Sequence, residues 1–210
     1  MLELALTGEG AHPLLGRIVA QVSPGERFCL LGPSGVGKTT LLNAIAGLDP
    51  RVPGAAIRRR PALRIGYLFQ EHRLLPWRSV RQNLAMVGAE ASRIDRLLEQ
   101  VGLRDAGDAL PDQLSLGMAR RAALARCLAV EPELLLLDEP FASLDGERAR
   151  QMRRLIAEVL AAQPRMAMIC VTHDPSDAEA LASRVWYLEG KPATLQRDLR
   201  MSAGLLRSGG

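Results

Sequence analysis

The stretch that most limits what this chain can fold into is "GPSGVGKTT", Gly32 to Thr40, lying between the apolar run "RFCLLG" and the helical-looking "LLNAIAG". It fits the pattern G-x-x-x-x-G-K-[ST] with the flanks that pattern needs. Its glycines let the backbone curl so that successive N–H groups face one anion, and the helix that follows adds its positive end. Gly32, Pro33, Ser34, Gly35, Val36, Gly37, Lys38, Thr39 and Thr40 are therefore the candidate nucleotide-binding residues. Lys38 is placed to bridge the terminal phosphates and Thr39 to ligate Mg²⁺. Kinases, GTPases, motors and transport ATPases all use such a loop, so it does not separate them.

The rest of the chain reads as α/β, with short apolar runs alternating with longer helical stretches. Four runs are predicted core strands: "RFCLLG" (27 to 32), "RIGYLF" (64 to 69), "ELLLLD" (133 to 138) and "MAMICVTH" (166 to 173). Several are apolar throughout, as in a parallel sheet covered on both faces. Between Gln70 and Glu131 helical spacing takes over; in "SRIDRLLEQVGL", Ile94, Leu97, Leu98 and Val101 share one face. This predicts one domain over 1–210, with a core of about 1–70 and 132–200, an inserted helical lobe of about 71–131 and a frayed tail of about 200–210. "DPRVPG" (49 to 54) reads as a turn, and "RRR" (58 to 60) as a solvated loop.

At 48% hydrophobic and 24% charged residues, the composition is that of a globular protein. No run approaches the roughly 18 apolar residues of a membrane span, and "MLELALTGEG" lacks the build of a secretory signal, so the chain is expected to stay in the cytoplasm. Cys29, Cys127 and Cys170 show no CxxC spacing and read as buried thiols. The net charge of +4 comes from scattered arginines, and 3% aromatics leave little to stack on bases, so no nucleic-acid partner is expected.

"LLLLDEP" ends a predicted buried strand on two adjacent carboxylates. Two acids can simply mark a strand exit, but beside a phosphate loop they acquire work. Asp138 is the metal-side candidate, and Glu139 the candidate general base that polarises the attacking water.

At this point the residues resemble the nucleotide-binding subunit of ATP-binding cassette transporters over nearly the whole length, in the family's order. "GPSGVGKTT" looks like its Walker A, Gln70 in "LFQEH" like its Q-loop, and "LSLGM" (Leu114 to Met118) like its signature. "LLLLDEP" looks like its Walker B, "SLD" (Ser143 to Asp145) like its D-loop, and His173 in "VTHD" like its switch histidine. The resemblance implies a P-loop NTPase (RecA-like) core with a small antiparallel β lobe and an inserted helical lobe, binding ATP and Mg²⁺. It assigns Gln70 to sensing Mg²⁺ and the attacking water, and His173 to contacting the γ-phosphate. Ser115 and Gly117 would cap the γ-phosphate held by a second, head-to-tail ATPase subunit, probed across the dimer also by Asp145; a homodimer is expected. It further implies a separate transmembrane permease, a substrate-binding protein in the complex, and a place on the cytoplasmic face of the inner membrane.

Two departures stand out. The family pattern is L-S-G-G-Q, so Leu116 replaces a glycine that could take positive φ, and Met118 replaces an amide donor. No aromatic precedes Phe28 to stack on adenine, leaving His12 as a stand-in. "FQEHRLLPWRSVRQNL" resembles importer ATPases serving nitrate, sulfonate and taurine; Trp77 within it either packs inside the helical lobe or lines a groove for a permease helix. A small-molecule kinase would not need Gln70, "SLD" and His173 in this order, and a chromosome-maintenance ATPase would carry a long coiled-coil insert. The remaining alternative is an ABC module that regulates or hydrolyses weakly, in export or a soluble role.

Overall fold

A computed structural model describes residues 1–6, 14–52 and 56–201. In chain order its elements are β1 (Leu2–Leu6), β2 (Ile18–Val22), β3 (Arg27–Leu31), α1 (Lys38–Ala46), β4 (Ile57–Arg59), β5 (Ile65–Leu68), α2 (Val80–Ala85), α3 (Ala91–Gln100), α4 (Leu116–Ala129), β6 (Leu134–Asp138), α5 (Gly146–Ala162), β7 (Ala167–Val171), α6 (Pro175–Leu181), β8 (Arg184–Glu189) and β9 (Thr194–Arg200).

The strands form two sheets, a six-stranded one in the order β5-β6-β7-β3-β8-β9 and a three-stranded one in the order β2-β1-β4. The large sheet is parallel from β5 to β8, and only β9 runs antiparallel, against β8. The small sheet is antiparallel throughout. All four core strands read from the sequence are present, each shortened by a residue or more.

Period-two geometry explains why the central strands are apolar at every position: alternate side chains serve different layers. Leu135 and Leu137 of β6 join Met168 and Cys170 of β7 in a core shared with α4 and α5, while Leu134 and Leu136 join Ile169 and Val171 in a core shared with α1 and the small sheet. Each of those leucines is fully buried, worth about 1.5–3 kcal/mol apiece. On β1, which has a solvent side, "LELAL" alternates strictly, burying Leu2, Leu4 and Leu6.

The "RRR" run is a strand end and not a solvated loop. Arg58 and Arg59 belong to β4; the Arg59 guanidinium donates to the carbonyls of Ala44 (2.6 Å) and Ile45 (2.7 Å), capping the end of α1. Arg60 pairs with Glu133. All three cysteines are buried and free. The helical spacing of α3 holds, with Ile94, Leu97, Leu98 and Val101 buried. Among the described residues no helix is long and apolar enough to cross a membrane.

Candidate active site

The order β5-β6-β7-β3 lines up four loops at the carboxyl edge of the sheet, neighbours being about 4.8 Å apart. Gln70 follows β5, Asp138 and Glu139 end β6, His173 follows β7, and the phosphate loop follows β3. Lys38, Thr39, Gln70, Glu139 and His173 line one cavity of about 470 Å³. Concavities of about 620 and 720 Å³ elsewhere are lined around Arg64, Arg93 and Glu131, and they hold none of these groups.

The loop takes its shape from its glycines. At Gly32 (φ 146°) a Cβ would sit 2.4 Å from the carbonyl oxygen of Leu188, closer than any side chain tolerates. Gly37 caps α1 at φ 115°, a conformation that strains any other residue. Lys38 opens the helix and turns back along the loop, donating from Nζ to the carbonyls of Gly32 (2.8 Å) and Pro33 (2.9 Å). Burial lowers its pKa from the ordinary value, while the carboxylates of Glu139 and Asp138 act against that shift.

Asp138 is 2% exposed, and its Oδ1 accepts a 3.1 Å hydrogen bond from the Thr39 hydroxyl. Burial raises the Asp138 pKa, helped by the neighbouring Glu139 charge and opposed by the Thr39 hydrogen bond and by Lys38 and Arg73. Glu139 is the first residue after β6. Its φ of 48° lies in the left-handed region, its N–H donates to Val171 (3.0 Å), and its carbonyl accepts from Ala142 N (3.1 Å) and from the Arg120 guanidinium (2.9 Å). Its side chain reaches Oε2 to within 2.9 Å of His173 Nδ1.

A residue the sequence did not single out supports the His173 loop. Asp177, 2% exposed in α6, accepts from the Thr172 hydroxyl (2.5 Å) and lies 2.7 Å from Arg153 of α5. Thr172 Oγ1 in turn accepts from the Asp174 N–H at 3.1 Å. The turn carrying His173 is thus tied to α5 and α6 through a buried carboxylate, which a lone Asp among helical residues does not announce.

The family model described as ABC transporter matches residues 15–142. The chain belongs to the ABC transporter family. It is 42% identical to the aliphatic sulfonates import ATP-binding protein SsuB 2 of Burkholderia cenocepacia (strain HI2424), over 95% of this chain and 77% of that protein. It is 38% identical to SsuB of Bacillus subtilis (strain 168), over 93% and 80%. Among solved structures it is similar to the ATP-binding cassette MJ0796, described as dimeric in a post-hydrolysis state bound to ADP and Pi, at 26% identity and a TM-score of 0.80 over 96% of this chain and 99% of that one.

In this ABC transporter chain Ser115 and Gly117 do not line the P-loop cavity. Ser115 is the N-cap of α4, accepting from the Met118 N–H at 3.3 Å. Leu116 is the first residue of that helix and is not among the residues with positive φ, so replacing the family's glycine there brings no backbone strain. Its side chain is 43% exposed. Met118 packs against the core where the family carries a glutamine. Asp145 is the N-cap of α5, accepting from Arg148 N–H at 2.9 Å. Trp77 does not pack inside the helical lobe; it is 70% exposed, next to the buried Leu74. Leu14, 45% exposed, gives the cavity an apolar wall, and His12 lies outside the described residues.

Proposed function

We propose that this chain is the ATP-hydrolysing subunit of an importer of aliphatic sulfonates or similar small anions. The observation that carries the reading is the row of four strand ends that brings Lys38, Thr39, Gln70, Glu139 and His173 around one cavity, with Asp138 buried behind Thr39. The sulfonate assignment rests on the relatives' names. Lys38 and the amides of the phosphate loop hold the β- and γ-phosphates at the start of α1. Thr39 Oγ1 and Asp138 Oδ1, hydrogen-bonded to one another, are the oxygens that would hold Mg²⁺ beside the phosphates, and Gln70 would be a further contact. When bound, the ion would neutralise phosphate charge.

Glu139 accepts the proton of a water whose oxygen attacks the γ-phosphorus. The bond to the bridging oxygen breaks, ADP carries off the electron pair, and His173 holds the transferring group. Two copies pair head to tail, so that Ser115 and Gly117 of each supply a helix N-terminus to the other's nucleotide. The whole of 1–210 works as one cassette, with the turn at Trp77, just before α2, docking on a cytoplasmic helix of a separate permease served by a binding protein outside.

The test is genetic and enzymatic. A strain lacking this chain should fail to grow on an alkanesulfonate as sole sulfur source, and the wild-type chain but not Lys38→Ala should restore growth. Growth of the deleted strain on alkanesulfonate, with normal ATPase activity in the purified chain, would remove the substrate and leave the enzyme.

A further inference from the structure

The candidate base is held by α4, the helix whose N-terminus carries Ser115. Arg120 is 6% exposed and sends one guanidinium nitrogen to the Glu139 carbonyl at 2.9 Å; its Nε finds no partner among the described residues. With Val171 fixing the Glu139 N–H, Ala142 and Arg120 fix its carbonyl, and His173 meets its carboxylate, every polar group of a residue at φ 48° is tied down. A non-glycine residue keeps such a φ only where its surroundings insist on it. Arg120 is also the contact that comes from outside the β6 and β7 edge. It lies five residues beyond Ser115, about 7.5 Å along one rigid helix. Further along the same helix, Arg126 donates to the carbonyls of His72 (3.1 Å) and Arg73 (2.7 Å), just after Gln70. The helix therefore grips the backbone of both loops that face the attacking water.

We propose that Arg120 is a positioning residue for hydrolysis, coupling the placement of the Ser115 helix end to the orientation of the Glu139 carboxylate. The inference rests on the reading of Glu139 as base. When Ser115 engages the neighbouring subunit's nucleotide, the same rigid helix sets the turn that aims this subunit's own base, so closure at one site prepares chemistry at the other. Arg120 touches no substrate; a buried, charged donor to a carbonyl holds a turn more firmly than a neutral one does.

The experiment is ATP turnover by the full chain, with ATP affinity measured separately by the nucleotide-induced rise in Tm. Arg120→Met should lower kcat about ten- to a hundredfold, the worth of one charge-assisted hydrogen bond, and leave the ATP Kd within about twofold. Arg120→Lys, which keeps a cationic donor, should recover much of the loss. In a Glu139→Gln background, Arg120→Met should cause no further loss in single-turnover hydrolysis, since the group it positions is already gone. Wild-type kcat in Arg120→Met, a loss confined to Kd, or an equal loss in the Glu139→Gln background would each overturn the proposal. If Arg120→Met proves unfolded, Arg120→Gln, which also removes the cationic donor, carries the test, and wild-type kcat in it would overturn the proposal. Full turnover by Glu139→Gln alone would instead overturn the reading of Glu139, whatever Arg120 does.

Discussion

Replacing Lys38 by methionine tests how the loop spends its one buried cation. The ammonium donates to the carbonyls of Gly32 and Pro33 within 2.9 Å, and near phosphate it would exchange them for charged oxygens. A unit charge pair at about 4 Å in a partly wet site is worth roughly 4 kcal/mol, and giving up the two carbonyls takes back part of it. A net of about 2–3 kcal/mol corresponds to a rise in Kd for ATP of about 30- to 150-fold. At ATP near 100 times the wild-type Kd, wild type gains about 2.7 kcal/mol, which moves the Tm of a chain of this size by about 5–11 °C. At the same concentration Lys38→Met retains less than about 1 kcal/mol, a shift of about 3 °C or less. Differential scanning fluorimetry with and without Mg-ATP reads both. A variant that keeps the full wild-type shift would refute the claim that Lys38 holds the phosphates.

Asp138→Asn should separate stability from activity. Burial raises the folded-state pKa of Asp138, so the stability its protonated form contributes is present at acid pH and is lost as pH rises through that value. Near neutral pH its charge then costs stability. Asparagine keeps an oxygen for Thr39 and removes the charge, so the nucleotide-free Tm should rise by about 2–4 °C while hydrolysis falls at least about a hundredfold; a lower Tm would contradict the burial argument. Native protein at pH 8 should show none of its three thiols to a disulfide reagent and all three in denaturant, because Cys29, Cys127 and Cys170 are buried and burial pushes Cys127 up to about 12. Fast labelling of even one thiol in the native state would refute this. Trp77→Ala should leave Tm and the turnover of the isolated chain nearly unchanged, given its exposure, yet weaken co-purification with the permease. A marked fall in Tm would mean that Trp77 packs after all.

Where an element owes its residues to one cause, it can be read from the sequence. The strands β3, β6 and β7 are apolar because both faces are covered, and the phosphate loop has its glycines because backbone must face an anion. The five candidate side chains that line the cavity, Lys38, Thr39, Gln70, Glu139 and His173, could be picked out because each follows a readable strand. The small sheet was harder to see. Its third strand, Ile57–Arg59, has three residues, two of them arginines whose partners lie in α1 and in β1. Nor does β9 carry a strand's apolar pattern, since most of it faces solvent. Trp77 was ambiguous because burial depends on a neighbouring surface that local spacing does not encode. Arg120 and Asp177 were invisible for a further reason: Arg120 acts on the backbone of a loop in another part of the chain, and Asp177 joins the nearby Thr172 hydroxyl to Arg153 of a different helix.

The central claim is that ATP closes two copies of this chain around two nucleotides, with Ser115 and Gly117 meeting the partner's phosphate despite Leu116 and Met118. The most direct measurement is the solution mass of Glu139→Gln by light scattering, with and without ATP and Mg²⁺. The account predicts a monomer without nucleotide and twice that mass with Mg-ATP, reverting when Ser115 is also replaced by arginine. A monomer at saturating Mg-ATP, in a protein shown to bind it, would contradict the account.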